Sequence, residues 1–241
     1  MSRLLRSSWR PGALLVAALV TFPYAVQRVF LHTPIESEMG TAQKIFYFHL
    51  PMAWGLMLFA MISGIAAATQ LLRRSERAED VAKASGEVCA LLGIGALLSG
   101  AIWGDATWGT PWTGDARLVT TALLELVFVA YLIVAKFGGP MAGRLAAALA
   151  VFGALDVPII YYSVKIWKTT HPKAEVVQSL PPEMWASLWP CLFAILACSF
   201  ALFEIRLRQE RLERWLDDAW IALSSSGAAS AEDSANSGRS S

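Results

Sequence analysis

Residues 118–137 read LVTTALLELVFVAYLIVAKF, with one carboxylate, Glu125, in the interior and one cation, Lys136, at the end. A bilayer core about 30 Å thick is crossed by roughly 20 consecutive apolar residues in a helix, so the stretch from Leu118 to Phe137 predicts a membrane span. Working outward, comparable runs occur at Gly12 to Leu31, Ile45 to Leu72, Val88 to Trp103, Leu145 to Val164 and Trp185 to Leu207. Spans of that size fill most of a 241-residue chain, which leaves no room for a sizeable soluble domain. The 56% hydrophobic composition and mean hydropathy of +0.48 place the chain in the same class. The expected fold is an all-α integral membrane protein, a bundle of about six transmembrane helices.

Charge sets the expected orientation. Lys and Arg total 20 against 19 Asp and Glu, so bulk electrostatics point to neither nucleic acid nor an acidic partner, and the information lies in placement. The N-terminal arm with Arg3, Arg6 and Arg10 precedes the first apolar run. That run is long and no clear small-residue cleavage site closes it, so it reads as a retained anchor rather than a signal peptide. The arm, a second loop with Arg73, Arg74, Arg77 and Lys83, a fourth with Lys136 and Arg144, and a tail with Arg206, Arg208, Arg211 and Arg214 alternate as the cation-rich set. The positive-inside rule makes these cytoplasmic, with both termini, and turns the first, third and fifth loops outward. The fifth loop dissents mildly through Lys165, Lys168 and Lys173, which serve either an anionic ligand or a solvated interfacial loop.

Two segments lie outside the spans. Glu204 to Leu223 keeps a helical pattern, with Arg residues between Leu212, Trp215, Leu216 and Trp220, and is expected along the inner headgroup surface. Residues 224–241, SSSGAASAEDSANSGRSS, are low-complexity and too polar to pack, so a disordered tail is expected after a membrane domain at 1–223. Cys89, Cys191 and Cys198 fall in apolar runs and read as small buried hydrophobes. Without a C-x-x-C-H run the chain has no covalent c-type heme site of its own.

The candidate site comes from three histidines, all expected at the outer side. His32 follows the first span, His49 sits in KIFYFHLPMAW (44–54) at a helix edge beside Pro51, and His171 sits in YYSVKIWKTTHP (161–172). Either of the last two alone reads as an interfacial side chain; the third loop, AIWGDATWGTPWTGDARLVT (101–120), gives the pair weight. It carries Trp103, Trp108 and Trp112 among Gly104, Gly109, Pro111 and Gly114, with Asp105, Asp115 and Arg117 at the same depth. An interfacial belt accounts for one or two tryptophans but less well for their clustering with glycine. A porphyrin needs aromatic faces, cations for its propionates and one or two imidazoles for iron, and this loop with two histidines offers each.

From KIFYFHLP (44–51) through WGTPWTGDARL (108–118) to LDVPIIYYSVKIWKTTH (155–171), the chain resembles the CcmC heme-handling proteins of cytochrome c maturation, with their tryptophan-rich "WWD" loop. The resemblance covers most of the chain in the same motif order. It implies axial ligation of a non-covalent heme b by His49 and His171, and porphyrin contact by Trp103, Trp108, Trp112, Asp115 and Arg117. It also implies presentation of heme at the periplasmic face to a chaperone of the CcmE type, alongside ABC-complex subunits of the CcmA, CcmB and CcmD types. The family pattern W-G-x-x-W-x-W-D-x-R-L-T is broken at Gly114, where an indole is missing, and at Val119. An indole at Gly114 adds an aromatic contact unless the position needs a positive φ.

No G-x-x-x-x-G-K-[ST] sequence occurs, so any ATP hydrolysis belongs to a partner, and the chain reads as an assembly and transport factor rather than an enzyme. A CcsA-type cytochrome c synthetase subunit shares the loop but normally has more spans and histidines. An electron-carrying b-type cytochrome normally buries its histidine pairs within helices. The intramembrane carboxylates Glu125 and Asp156 are expected to face other helices or sit protonated. The charge asymmetry predicts that reporter fusions after Thr41, Thr110 and Lys173 read as external and those after Glu79 and Gly139 as internal. The reversed pattern would put the histidines in the cytoplasm and overturn the orientation.

Overall fold

The structure, a computed structural model, describes residues 9–139, 142–167, 169–171 and 179–237. Lys168 and Lys173 of the fifth loop lie outside the described residues. The helices are α1 (Trp9–Gln27, continued by a π-helical turn Arg28–His32), α2 (Gln43–Arg73), α3 (Glu76–Trp108), α4 (Ala116–Phe137), α5 (Gly143–Ile166) and α6 (Pro182–Ser237). Six helices among the described residues are long and apolar enough to cross a membrane. Lipid offers no partner to a backbone N–H or C=O, so each crossing segment must close its own hydrogen bonds, which a helix does. Large apolar side chains such as Leu98, Ile102, Leu126, Ile133 and Leu155 are exposed along these helices, as lipid-facing residues are.

α2 is the central element and packs on α3, α5 and α6; α4 fills the angle between α3 and α5, and α1 leans on α6. Close approach relies on small residues: a Cβ at Gly64 would collide with Ala154, with the Ala150 carbonyl 3.1 Å away, so α2 and α5 meet nearly backbone to backbone. Glu125 is 6% exposed and sits over Gly93 of α3, with neither carboxylate oxygen partnered among the described residues. The glycine makes room for the carboxyl across the α3/α4 contact, which agrees with an interhelical position for this group. Asp156 is equally buried, at 6%.

The arginine-rich end differs from the sequence reading in two respects. The second loop is only Arg74 and Ser75: α2 ends on Arg74 at φ 52°, and the Ser75 side chain accepts from the Ala78 N–H to start α3. Arg77 and Lys83 therefore lie on α3, where Lys83 pairs with Glu79 at 2.8 Å. Second, α6 continues unbroken from its apolar part, and its charged face binds α3 instead of lying along a headgroup surface. Arg206 pairs with Glu87, and Arg214 reaches Asp80 at 2.6 Å. The acidic residues at the start of α3 supply the partners, and Leu212, Trp215, Leu216 and Trp220 remain exposed. The backbone is helical to Ser237.

Asp80 is 2% exposed, so Arg214→Ala strands a buried carboxylate. A denaturant titration of the purified protein is expected to show a loss of about 1–3 kcal/mol, the cost of a buried acceptor left without its hydrogen-bond donor. Lys83→Ala, which removes a half-exposed pair within one helix, is expected to cost under about 0.5 kcal/mol. Equal effects of the two would contradict the account of the α3/α6 clasp.

Candidate functional site

The loops opposite the arginine-rich end are shaped by helix-end chemistry. α3 stops at Gly109, which has φ 72° and donates its N–H to the Asp105 carbonyl. α4 starts at Asp115, whose Oδ1 accepts from the Arg117 and Leu118 N–H groups at 3.1 and 3.2 Å. Between these ends the chain runs over the top of α2 and α3 and covers a cavity of about 380 Å³. That volume lies within the range of small-molecule and cofactor sites. Its walls come from α2 (Phe46, His49, Ala53, Trp54), α3 (Ala96, Leu97, Gly100, Trp103), the loop (Trp108, Pro111, Trp112), α4 (Arg117, Thr121), α5 (Ile160, Tyr161) and His171.

His49 and His171 meet there. Their ring centroids are 6.4 Å apart with planes at 42°. Trp103 touches both rings, at 5.8 Å from His49 and 6.2 Å, edge-on, from His171. This indole is 3% exposed and also packs on Trp108 and Phe46, so it belongs to the site and not to an interfacial belt. Its buried Nε1 has no hydrogen-bond partner among the described residues. His32 is exposed at the end of the π-helical turn and does not line the cavity.

Ser99 lies against the His49 ring. The hydroxyl lies 2.7 Å from the Gly95 carbonyl and 3.2 Å from that of Ala96, so its single proton is committed to the helix. His49 Nδ1 lies 3.0 Å from the same oxygen, and the tautomer that donates there leaves the Nε2 lone pair free to bind a metal. Gly100 makes the neighbourhood possible, since a Cβ there would sit 3.0 Å from His49 Cε1. Neither Ser99 nor Gly100 carries a sequence signal, because only the α2/α3 contact shows that they flank His49.

Of the residues expected at the site, Trp103, Trp108, Trp112, Arg117, His49 and His171 line the cavity. Arg117 forms no salt bridge among the described residues. Asp115 does not line the cavity; its Oδ2 accepts from Thr169 at 2.7 Å, Thr170 at 3.1 Å and Thr113 at 3.3 Å. Burial pushes the Asp115 carboxyl up, but the Thr169 and Thr170 hydroxyls and the Leu118 N–H outweigh it and hold the group below its ordinary value. Gly114 has φ 70°, so the position where the family pattern has an indole is held by a left-handed backbone.

The donor set limits what can bind. Among the described residues no three of His, Cys, Asp and Glu converge. The two imidazoles brought together among the described residues suit a metal whose remaining ligands arrive with it.

The fold and cavity define a multi-pass membrane protein with a histidine pair under an aromatic loop. The model for the family CcmC, heme exporter protein C, matches residues 3–222, and the chain belongs to that family. The heme exporter protein C of Bradyrhizobium diazoefficiens is 32% identical over 216 residues, 84% of this chain and 82% of the relative. That of Escherichia coli K12 is 29% identical over 219 residues, 87% of this chain and 89% of the relative. A ccmC-like mitochondrial protein of Marchantia polymorpha, named for cytochrome c biosynthesis, is 28% identical over 172 residues, 71% of this chain and 73% of the relative.

A side chain at Gly114 is expected to strain the turn before α4. Gly114→Trp should lower stability by about 1–2 kcal/mol, read as the thermal unfolding midpoint, and Gly114→Asn should lower it less, because Asn tolerates the left-handed region. A Trp variant as stable as the parent would mean that a new aromatic contact offsets the strain.

Proposed function

We propose that this chain receives heme non-covalently in the cavity at the outer face of the membrane and presents it for cytochrome c maturation. The observation that carries the reading is the convergence of His49 and His171 beneath the tryptophan loop. Metal to imidazole nitrogen bonds of about 2 Å place two rings on opposite sides of one metal with centroids about 6 Å apart, and the observed separation is 6.4 Å. A porphyrin brings the four other nitrogens that the two-ligand donor set lacks, and its iron supplies the affinity for two imidazoles. The names of the relatives, heme exporters and a cytochrome c biosynthesis protein, favour the same cargo.

In this reading His49 and His171 hold the iron, Trp103, Trp108 and Trp112 pack on the ring, and Arg117 meets a propionate. The aromatic walls exclude water from the ring while the exposed edge of Trp112 leaves one side open. His49 is fixed on a helix and His171 stands on a loop, an arrangement suited to a ligand that is later handed on. The family resemblance makes the receiver a CcmE-type chaperone in the periplasm and the neighbours CcmA-, CcmB- and CcmD-type subunits, which would supply any ATPase activity. The same reading keeps both termini cytoplasmic in the inner membrane.

The purified protein loaded with heme is expected to give a six-coordinate low-spin absorption spectrum. His49→Ala and His171→Ala should each give a five-coordinate spectrum or lose heme, and His32→Ala should leave the spectrum unchanged. Sensitivity to His32 alone would overturn the assignment.

A further inference from the structure

The loop that carries His171 is tied to the rest of the site by a short chain of hydrogen bonds. The His171 backbone N–H donates to Thr169 Oγ1 at 3.0 Å, and the Thr169 hydroxyl donates to Asp115 Oδ2 at 2.7 Å. Thr170 Oγ1 adds a second donor to the same oxygen at 3.1 Å. On its other side, Asp115 Oδ1 accepts the first N–H groups of α4, so the carboxylate is anchored to a helix end and not to a free loop. One side chain therefore joins the start of α4 to a backbone donor of the histidine itself, across more than fifty residues of sequence.

We propose that Asp115 is a positioning residue that sets the place of His171 through Thr169 and Thr170, rather than a group that touches the porphyrin. The proposal rests on the heme reading above for its consequence, but the hydrogen-bond chain exists without a ligand. Three features carry it. Asp115 does not line the cavity, although its neighbour Arg117 does. Both of its oxygens are occupied by protein donors, which leaves little capacity for a ligand. A charged acceptor at the end of the chain strengthens each bond in it, because ionised acceptors form shorter and stronger bonds than neutral ones. The two histidines thus differ in their contacts: the His49 ring meets Ser99 within a packed helix pair, whereas the His171 backbone N–H donates to Thr169, which Asp115 anchors in turn. Loosening of the Asp115 to Thr169 contact would shift the backbone that carries the second imidazole while the first keeps its contact with Ser99.

The experiment uses the full chain in detergent, with hemin as the ligand and an apomyoglobin trap, and compares the parent with Thr169→Val/Thr170→Val. The substitutions keep the β-branched shape and leave Asp115 free to cap α4. Hydrogen exchange in the heme-free protein is expected to be faster at the His171 amide in the double variant and unchanged in the cap of α4. With heme, the variant is expected to shift toward a five-coordinate spectrum, to regain six-coordination on addition of free imidazole, and to lose heme about 10- to 100-fold faster, as outer-shell substitutions at metal sites do. Thr169→Ser, which retains the hydroxyl, should restore parental behaviour even if the double valine variant is poorly folded. Unchanged exchange and unchanged spectra in the valine variant overturn the proposal, as does failure of Thr169→Ser to restore the parental state. A parent that takes up no heme, yet shows the exchange difference, overturns the heme reading and leaves the positioning role supported.

Discussion

Lipid cannot satisfy a bare backbone amide, and that constraint decides where irregular chain is allowed in this molecule. The helices carry the polar backbone through the apolar zone, and the loops that bear chemistry are confined to the rim. At the rim the same requirement returns in another form, since the free N–H groups at the start of α4 need acceptors. Asp115 supplies them and at the same time collects hydroxyl donors from the His171 loop. A single carboxylate thereby closes a helix end and joins two loops, and the cavity walls follow from that junction.

The cavity also depends on how closely the helices below it approach. Gly64 lets α2 meet α5 at Ala150 and Ala154, which brings Ile160 and Tyr161 of α5 to the same chamber as His49 of α2. Gly100 lets α3 lie against the His49 ring, and Ser99 on the same turn holds its Nδ1. Small residues in the bundle are therefore as much a part of the site as the aromatic loop. At the opposite end, Arg206 and Arg214 clasp α6 to α3.

The spans and the order of the motifs were legible because both are local: hydropathy reads over about 20 residues, and His49, the tryptophan loop and His171 each stand in a recognisable stretch. The ends of the helices were less so. α3 and α6 run past their apolar parts because Glu87 and Asp80 meet Arg206 and Arg214 over more than a hundred residues, and no window of sequence contains both partners. The role of Asp115 was hidden for the same reason: its position in the loop suggested a ligand contact, and only the fold brings Thr169 and Thr170 to it. Trp103 reads in the sequence as one of three loop indoles expected against a porphyrin, and burial against both histidines sets it apart from the other two. Gly114 carried two opposed readings in the sequence, and its φ of 70° is the left-handed backbone that the strained one requires.

Convergence of two imidazoles on one heme iron is the claim on which the functional account stands. Electron paramagnetic resonance of the heme-loaded, full-length ferric protein reads the axial ligands directly. The account predicts a low-spin signal of two-imidazole ligation as the main species, whereas a dominant high-spin signal, or a low-spin signal of a thiolate ligand, would contradict it.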